Sequence, residues 1–135
     1  MEAITVTFPG GRAVDASWGA HRVHTDQPID AGGADSGPSP YDLFLASVAT
    51  CAGYYVQGFC LARNIPLDGI RLVQRVESGP DATLPGAIRL ELTLPPTFPE
   101  KYCTAVVRAA EGCKVKKAIA AAPLIYVTLV SPRAP

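Results

Sequence analysis

The residues of this chain best suited to chemistry are its four cysteines, Cys51, Cys60, Cys103 and Cys113. A cysteine is a nucleophile and a two-electron redox centre only as its thiolate, so the surroundings of each sulfur decide what it can do. Successive cysteines are separated by 8, 42 and 9 residues, without the close pairs of a small disulfide scaffold. The N-terminus, Met1-Glu2-Ala3-Ile4, has no basic region followed by an apolar run and does not read as a secretory signal. The expectation is a cytoplasmic protein whose thiols are reduced.

Cys51 lies in a long apolar segment, with Ser47 and Val48 one helical turn before it and Tyr54 and Tyr55 one turn after. In such surroundings a cysteine commonly just packs, and its pKa rises unless a cation reaches it. Cys113 follows Gly112 and opens a segment carrying Lys114, Lys116 and Lys117. A helix N-terminus and ammonium groups both favour a thiolate, so local electrostatics alone make Cys113 the more acidic thiol. Cys60 is nine residues past Cys51, about 900° round the helix and hence on its opposite face, which points to a structural role. Cys103, in the first turn of a later helix, fits either role. His21 and His24 have no C-x-x-C partner, and His-Arg-Val-His reads better as part of a strand than as zinc ligands. No Gly-x-Ser-x-Gly elbow supports a Ser-His-Asp triad.

The elements that must position these thiols follow from periodicity. Ile4, Val6 and Phe8 alternate with threonines, Pro9-Gly10-Gly11 signals a turn, and Val14, Ala16 and Trp18 alternate again; a third short strand fits 21–25. Residues 26–40, rich in glycine and proline, form a connecting loop that matches neither a dinucleotide fingerprint nor a P-loop. Ser39 then serves as N-cap, Pro40 as first helical residue and Asp42 as the far side of a capping box. Residues 43–62 carry no charge, which predicts a helix apolar nearly all round and therefore buried. A membrane span of about 20 residues would fit its length. Ser47, Thr50, Gln57, two glycines and two tyrosines dilute it, however, and strands flank it, so a core helix open to sharing between subunits is the better expectation.

After Asn64 and Pro66, Ile70, Leu72 and Val76 alternate with Arg71, Arg75 and Glu77, and Ile88, Leu90, Leu92 and Leu94 alternate with Arg89, Glu91 and Thr93. Turn signals between them predict a hairpin with one wet face. An amphipathic helix from Pro99 through Ala110, a short helix over 114–121 and a β-branched strand over 124–130 complete the chain. Grouped strands and helices make this α+β, and 135 residues fit a single domain spanning 1–135. With 48% apolar residues the chain is not disordered, and with 12 basic and 12 acidic residues it has no basic tract for nucleic acid. A surface of zero net charge also leaves self-association open.

The run Gly32-Gly33, then Ser39-Pro40-Tyr41-Asp42-Leu43-Phe44-Leu45-Ala46-Ser47-Val48-Ala49-Thr50-Cys51, resembles the loop and central helix of the OsmC/Ohr family, the osmotically inducible protein C and organic hydroperoxide resistance proteins. Glu111-Gly112-Cys113-Lys114-Val115 is similar to that family's second cysteine motif, and the strand order agrees. The resemblance implies an intertwined homodimer with active sites at the subunit interface. In it Cys51 would be the peroxidatic thiolate attacking an organic hydroperoxide, and Cys113 the resolving thiol. A dithiol such as a lipoylated protein would be the reductant, with no metal or flavin needed. Gly10-Gly11-Arg12 resembles the Gly-Gly-Arg of the hydroperoxide-resistance branch, which makes Arg12 the first choice for the arginine that holds the thiolate, and Arg22 the second. The family's glutamate ten residues before the first cysteine is Tyr41 here, and Asp42 is better explained as a helix cap. That departure suggests an OsmC-like branch. It keeps two alternatives open: a non-enzymatic protein binding a small molecule in a pocket near Tyr54, Tyr55 and Gly58, and a redox-sensing dimer in which Cys113 reacts.

Overall fold

The computed structural model describes residues 1–130. The N-terminal alternation folds into three antiparallel strands, β1 (Thr5–Gly10), β2 (Ala13–Trp18) and β3 (His21–Thr25), in the order β1-β2-β3. β2 and β3 pair without interruption from Val14 opposite Thr25 to Trp18 opposite His21. β1 shifts register against β2 between Thr7 and Gly10, where Pro9 has no N–H to give the ladder. The turn is thereby delayed to Gly11 and Arg12, and Gly11 takes φ 57°, a conformation that suits glycine. Residues 26–39 form the expected loop, with a single 3-10 turn at Ile29–Ala31 that periodicity does not announce. A Cβ on Gly33 would sit 1.8 Å from the Gln27 carbonyl oxygen, so this loop closes on itself only with glycine there.

The central helix, α1 (Pro40–Leu61), starts as its capping residues dictate. Ser39 Oγ accepts the Asp42 amide at 3.1 Å, and the Asp42 carboxylate accepts the Ser39 amide at 3.0 Å, a reciprocal box with Pro40 as the first helical residue. It ends where the Ile65 amide turns back to the Cys60 carbonyl and Asn64 takes a left-handed φ of 53°. The expectation of all-round burial is corrected. Only the stripe Val48, Ala52, Val56 and Cys60 is buried, while Tyr54 and Leu61 are 67% and 62% exposed. An uncharged helix is apolar on every side, but one chain of this size covers one side of it. By length and composition alone α1 could also cross a membrane.

By internal packing the described residues divide into 1–50 and those from Cys51 onward, and the division falls inside α1. In the second unit β4 (Arg71–Ser78) and β5 (Pro85–Thr93) form the expected antiparallel hairpin. Leu72 faces Leu92 and Val76 faces Ile88 on the apolar side. On the wet side Arg75 lies opposite Arg89, and diagonal ion pairs from Arg75 to Glu91 at 3.0 Å and from Arg89 to Glu77 at 2.9 Å offset that repulsion. A 3-10 turn, Glu100–Tyr102, leads into α2 (Cys103–Glu111), and α3 (Lys114–Ala120) follows. Val56, Cys60, Ile65, Phe98 and Val106 form the buried core of this unit.

The strand expected over 124–130 is the second correction. The segment belongs to no sheet, and Leu124, Ile125, Tyr126, Val127, Leu129 and Val130 are 79–96% exposed. Branched and aromatic residues supply strand propensity, but a strand exists only against an edge, and no strand among the described residues pairs with it. The α+β grouping of N-terminal strands, long helix, hairpin and later helices is as expected.

Candidate active site

Two helices meet at the thiols. Gly112 ends α2, and a Cβ there would lie 3.7 Å from the ring of Tyr55, so the corner between α2 and α3 packs closely on α1. Cys113 is the N-cap of α3, its Sγ accepting the Lys116 amide at 3.4 Å, and it is 1% exposed. The first amides of any helix lack intrahelical acceptors. Here the Cys113 sulfur takes one of them, the Lys116 amide, while the Val115 and Lys114 amides at the start of α3 act on the charge of Cys51. The Val115 amide first, then the Cys113 thiol, hold the Cys51 pKa below that of an ordinary cysteine. Burial opposes this, and the Lys114 amide and ammonium reinforce it.

The helix terminus expected to act on Cys113 therefore acts on Cys51 as well, with the Lys114 charge the smallest contribution. Sequence-local electrostatics favour Cys113 as the thiolate; in the fold Cys113 caps α3, and Cys51 is the thiol whose pKa is lowered. Both are free thiols. Cys60 is fully buried in the core, and burial raises its pKa, with the Arg63 charge opposing. Cys103 packs against the same core with its thiol 3.9 Å from the Pro99 carbonyl oxygen. Both have the surroundings of packing residues.

In the first unit the two candidate arginines part company. Arg22 is ion-paired to Asp15, which is 3% exposed. Arg12 stands in the turn after β1 and lines a cleft of about 350 Å³ with Phe8, Gly10, Gly11, Ala13, Val14 and Gln27. Arg22 first, and then His24, keep the Asp15 carboxyl below the usual carboxylate range. His24 Nδ1 is 2.6 Å from Asp15, and its Nε2 is 2.9 Å from Ser36 Oγ. That is the order of a Ser-His-Asp triad, and sequence spacing gave no sign of it.

It does not function as one, because Ser36 Oγ donates its proton to Asp26 Oδ2 at 2.6 Å and has none left for His24. Asp26 also accepts the amides of Gln27, Ala34 and Ser36 at 2.8, 3.1 and 3.2 Å. The Ser36 hydroxyl first, and then these amides, bring its pKa down to about 2. The chain of contacts ties the 26–39 loop to β2 and β3. Tyr41 stacks on Phe44 with ring centroids 5.9 Å apart and is 42% exposed.

Residues 32–128 match the family described as OsmC-like protein. The chain belongs to the OsmC-like family. The match includes Tyr41, Cys51 and Cys113 and leaves out Arg12 and Arg22. Among solved structures, the OsmC-like chain is similar to one from Psychrobacter arcticus described as an osmotic stress induced and detoxification response protein. The two are 22% identical, with 87% of this chain and 88% of the other covered and a TM-score of 0.73. A Legionella pneumophila protein, described as an organic hydroperoxide resistance protein OsmC, is 21% identical over 87% and 88% of the chains, with a TM-score of 0.50. A Vibrio cholerae protein, described as an organic hydroperoxide resistance protein with captopril in one of its active sites, is 20% identical over 87% and 83%, with a TM-score of 0.53. These likenesses establish the OsmC-like fold. A comparison with curated proteins finds no match.

Proposed function

We propose that this single OsmC-like domain is a thiol-dependent hydroperoxide reductase acting in oxidative-stress defence, with Cys51 as the peroxidatic and Cys113 as the resolving cysteine. The observation that carries the reading is the meeting of Cys51 with Cys113 and the start of α3, where the Val115 amide first, and then the Cys113 thiol, lower the Cys51 pKa. The Cys51 thiolate attacks one oxygen of ROOH: an S–O bond forms, the O–O bond breaks, and the alkoxide leaves and is protonated to ROH. Cys51 is then a sulfenic acid, oxidised by two electrons. Cys113 sulfur attacks it, the disulfide forms and water leaves. A dithiol, such as a lipoylated protein, returns two electrons and two protons and departs as its own disulfide.

Arg12 is the arginine proposed to steer the peroxide, since Arg22 is held by Asp15. The family's hydroperoxide-resistance relatives, one with captopril in an active site, support a small organic molecule as substrate.

A cytoplasmic homodimer completes the proposal. Ile4, Val6 and Phe8 in the first unit, and Tyr54 and the apolar residues of 124–130 in the second, are each exposed in one chain, and exposed apolar residues of this kind support a partner. Light scattering is expected to return twice the 14.2 kDa of the chain. The function is tested by consumption of cumene or fatty-acid hydroperoxide with a dithiol present. Cys51→Ser is expected to fall to the uncatalysed rate, and equal slow consumption by wild type and Cys51→Ser would end the enzyme reading. A ligand retained through native purification, with no peroxide turnover, would favour the binding-protein alternative instead.

A further inference from the structure

The clamp that ties the 26–39 loop to β2 and β3 turns on one histidine. His24 of β3 pairs with Asp15 of β2 in the strand ladder, with Nδ1 2.6 Å from Asp15 Oδ1 and Nε2 2.9 Å from Ser36 Oγ. The loop lies close on the ring, since a Cβ on Gly37 would be 3.0 Å from His24 Cδ2. Both neighbours of the ring nitrogens can only accept. Ser36 has one hydroxyl hydrogen and gives it to Asp26 Oδ2 at 2.6 Å. Asp26, with its pKa at about 2, is a carboxylate and has no hydrogen to return. Asp15 is a buried carboxylate, ion-paired to Arg22. A neutral imidazole has one N–H and one bare nitrogen, so it satisfies one of these acceptors and turns a lone pair on the other. Only the doubly protonated ring donates to both. The charged groups around it are Asp15 from β2, Arg22 from its own strand, and Asp26 behind Ser36, with Asp35 next to Ser36 in the loop. The other histidine, His21, packs against Trp18.

We propose that His24 is a proton-operated latch: as imidazolium it ties the 26–39 loop to β2 and β3, and loss of one proton releases that tie. In the neutral ring the remaining N–H stays on Nδ1 against the buried Asp15 charge, and the Nε2 lone pair faces the Ser36 oxygen. Either Ser36 turns its hydrogen from Asp26 to His24, or the loop parts from the ring. Both remove a bond from the clamp. The latched state binds one proton more than the released state, so the latch holds at low pH and is lost as pH rises through the titration of His24. The loop runs on from Ser36 to Ser39, the cap of α1, so the latch acts on the segment that fixes where that helix begins. The inference depends neither on peroxide as substrate nor on which thiol attacks.

The test follows the ring nitrogens of the two histidines by NMR in the full chain, with amide exchange of the loop read as protection factors over the same pH series. His21→Gln assigns the signals. The Ala34 and Ser36 amides, which bind Asp26, are expected to be well protected while both His24 nitrogens carry hydrogen. Their protection should fall about fivefold as one hydrogen leaves, on the scale of one net hydrogen bond. His24→Gln and Ser36→Ala should each abolish this step, His21→Gln should keep it, and the amides of β4 and β5 should not show it. Thermal unfolding confirms that each variant is folded, and the wild-type series stands alone if one is not. A bare His24 nitrogen at a pH where the loop is fully protected overturns the proposal. So does protection that stays level through the titration of His24, or a step that persists in His24→Gln.

Discussion

Cys51 and Cys60 are the same residue type on the same helix, and α1 delivers them to opposite environments. Cys60 is enclosed by Val56, Ile65, Phe98 and Val106, and burial raises its pKa. Cys51 is also partly buried, yet its pKa is lowered, because the Val115 amide, the Cys113 thiol and the Lys114 amide favour its charge. Burial is thus not what makes a thiol inert or reactive in this protein. The deciding quantity is how many donors reach the sulfur, since a thiolate out of water is stable only when hydrogen bonds replace its hydration.

The sharpest way to break that contrast is selective alkylation. At neutral pH in the native state Cys51 is expected to react at least an order of magnitude faster than Cys60, and the gap should close in denaturant. Comparable native rates would show that donors at Cys51 do not matter. The converse experiment is on stability. Cys60→Ser places a hydroxyl among apolar side chains and is expected to cost about 2 kcal/mol, read by denaturant unfolding, whereas Cys51→Ser keeps donors around the new hydroxyl and should cost less. A smaller effect tests how α1 is set in place to aim the two sulfurs. Ser39→Ala removes the cap that accepts the Asp42 amide, worth about 1 kcal/mol, and should lower Tm without changing the Cys51 to Cys60 ratio.

A further test extends the same rule from sulfur to carboxylate. Asp26 is an anion held by four donors with a folded pKa of about 2, against 3.8 for an ordinary aspartate. A depressed pKa stabilises the fold fully above pH 3.8, and this contribution is lost as pH falls through about 2. Acid unfolding of wild type should therefore steepen in that window, and Asp26→Asn should remove this component while leaving Cys51 alkylation alone. An Asp26→Asn variant with the wild-type acid profile would show that the loop clamp contributes nothing.

What proved legible in the sequence was local. Ser39, Pro40 and Asp42 announce the start of α1 because capping depends on residues within one turn, and the hairpin of β4 and β5 follows from alternation and turn residues. The resemblance carried by the two cysteine motifs named the family through short runs of sequence. Two readings failed where a remote surface was needed: α1 is buried on one stripe only, and residues 124–130 have strand propensity but no edge to pair with. The clamp through Asp15, His24, Ser36 and Asp26 was invisible for a related reason. Its members lie on two strands and a loop, at spacings that no local periodicity links.

The sequence by itself determined that Cys51 sits mid-helix, that Cys60 lies on the other face, and that Cys113 begins a helix among lysines. Tertiary structure alone decided which thiol benefits. The start of α3 is shared between the two sulfurs: the Lys116 amide goes to Cys113, and the Val115 amide lowers the pKa of the Cys51 that α1 brings to it, the acidity that sequence-local electrostatics assigned to Cys113. Hydrogen bonds act over about 3 Å, and only the packing of α1 against the corner between α2 and α3 sets which groups lie within that distance.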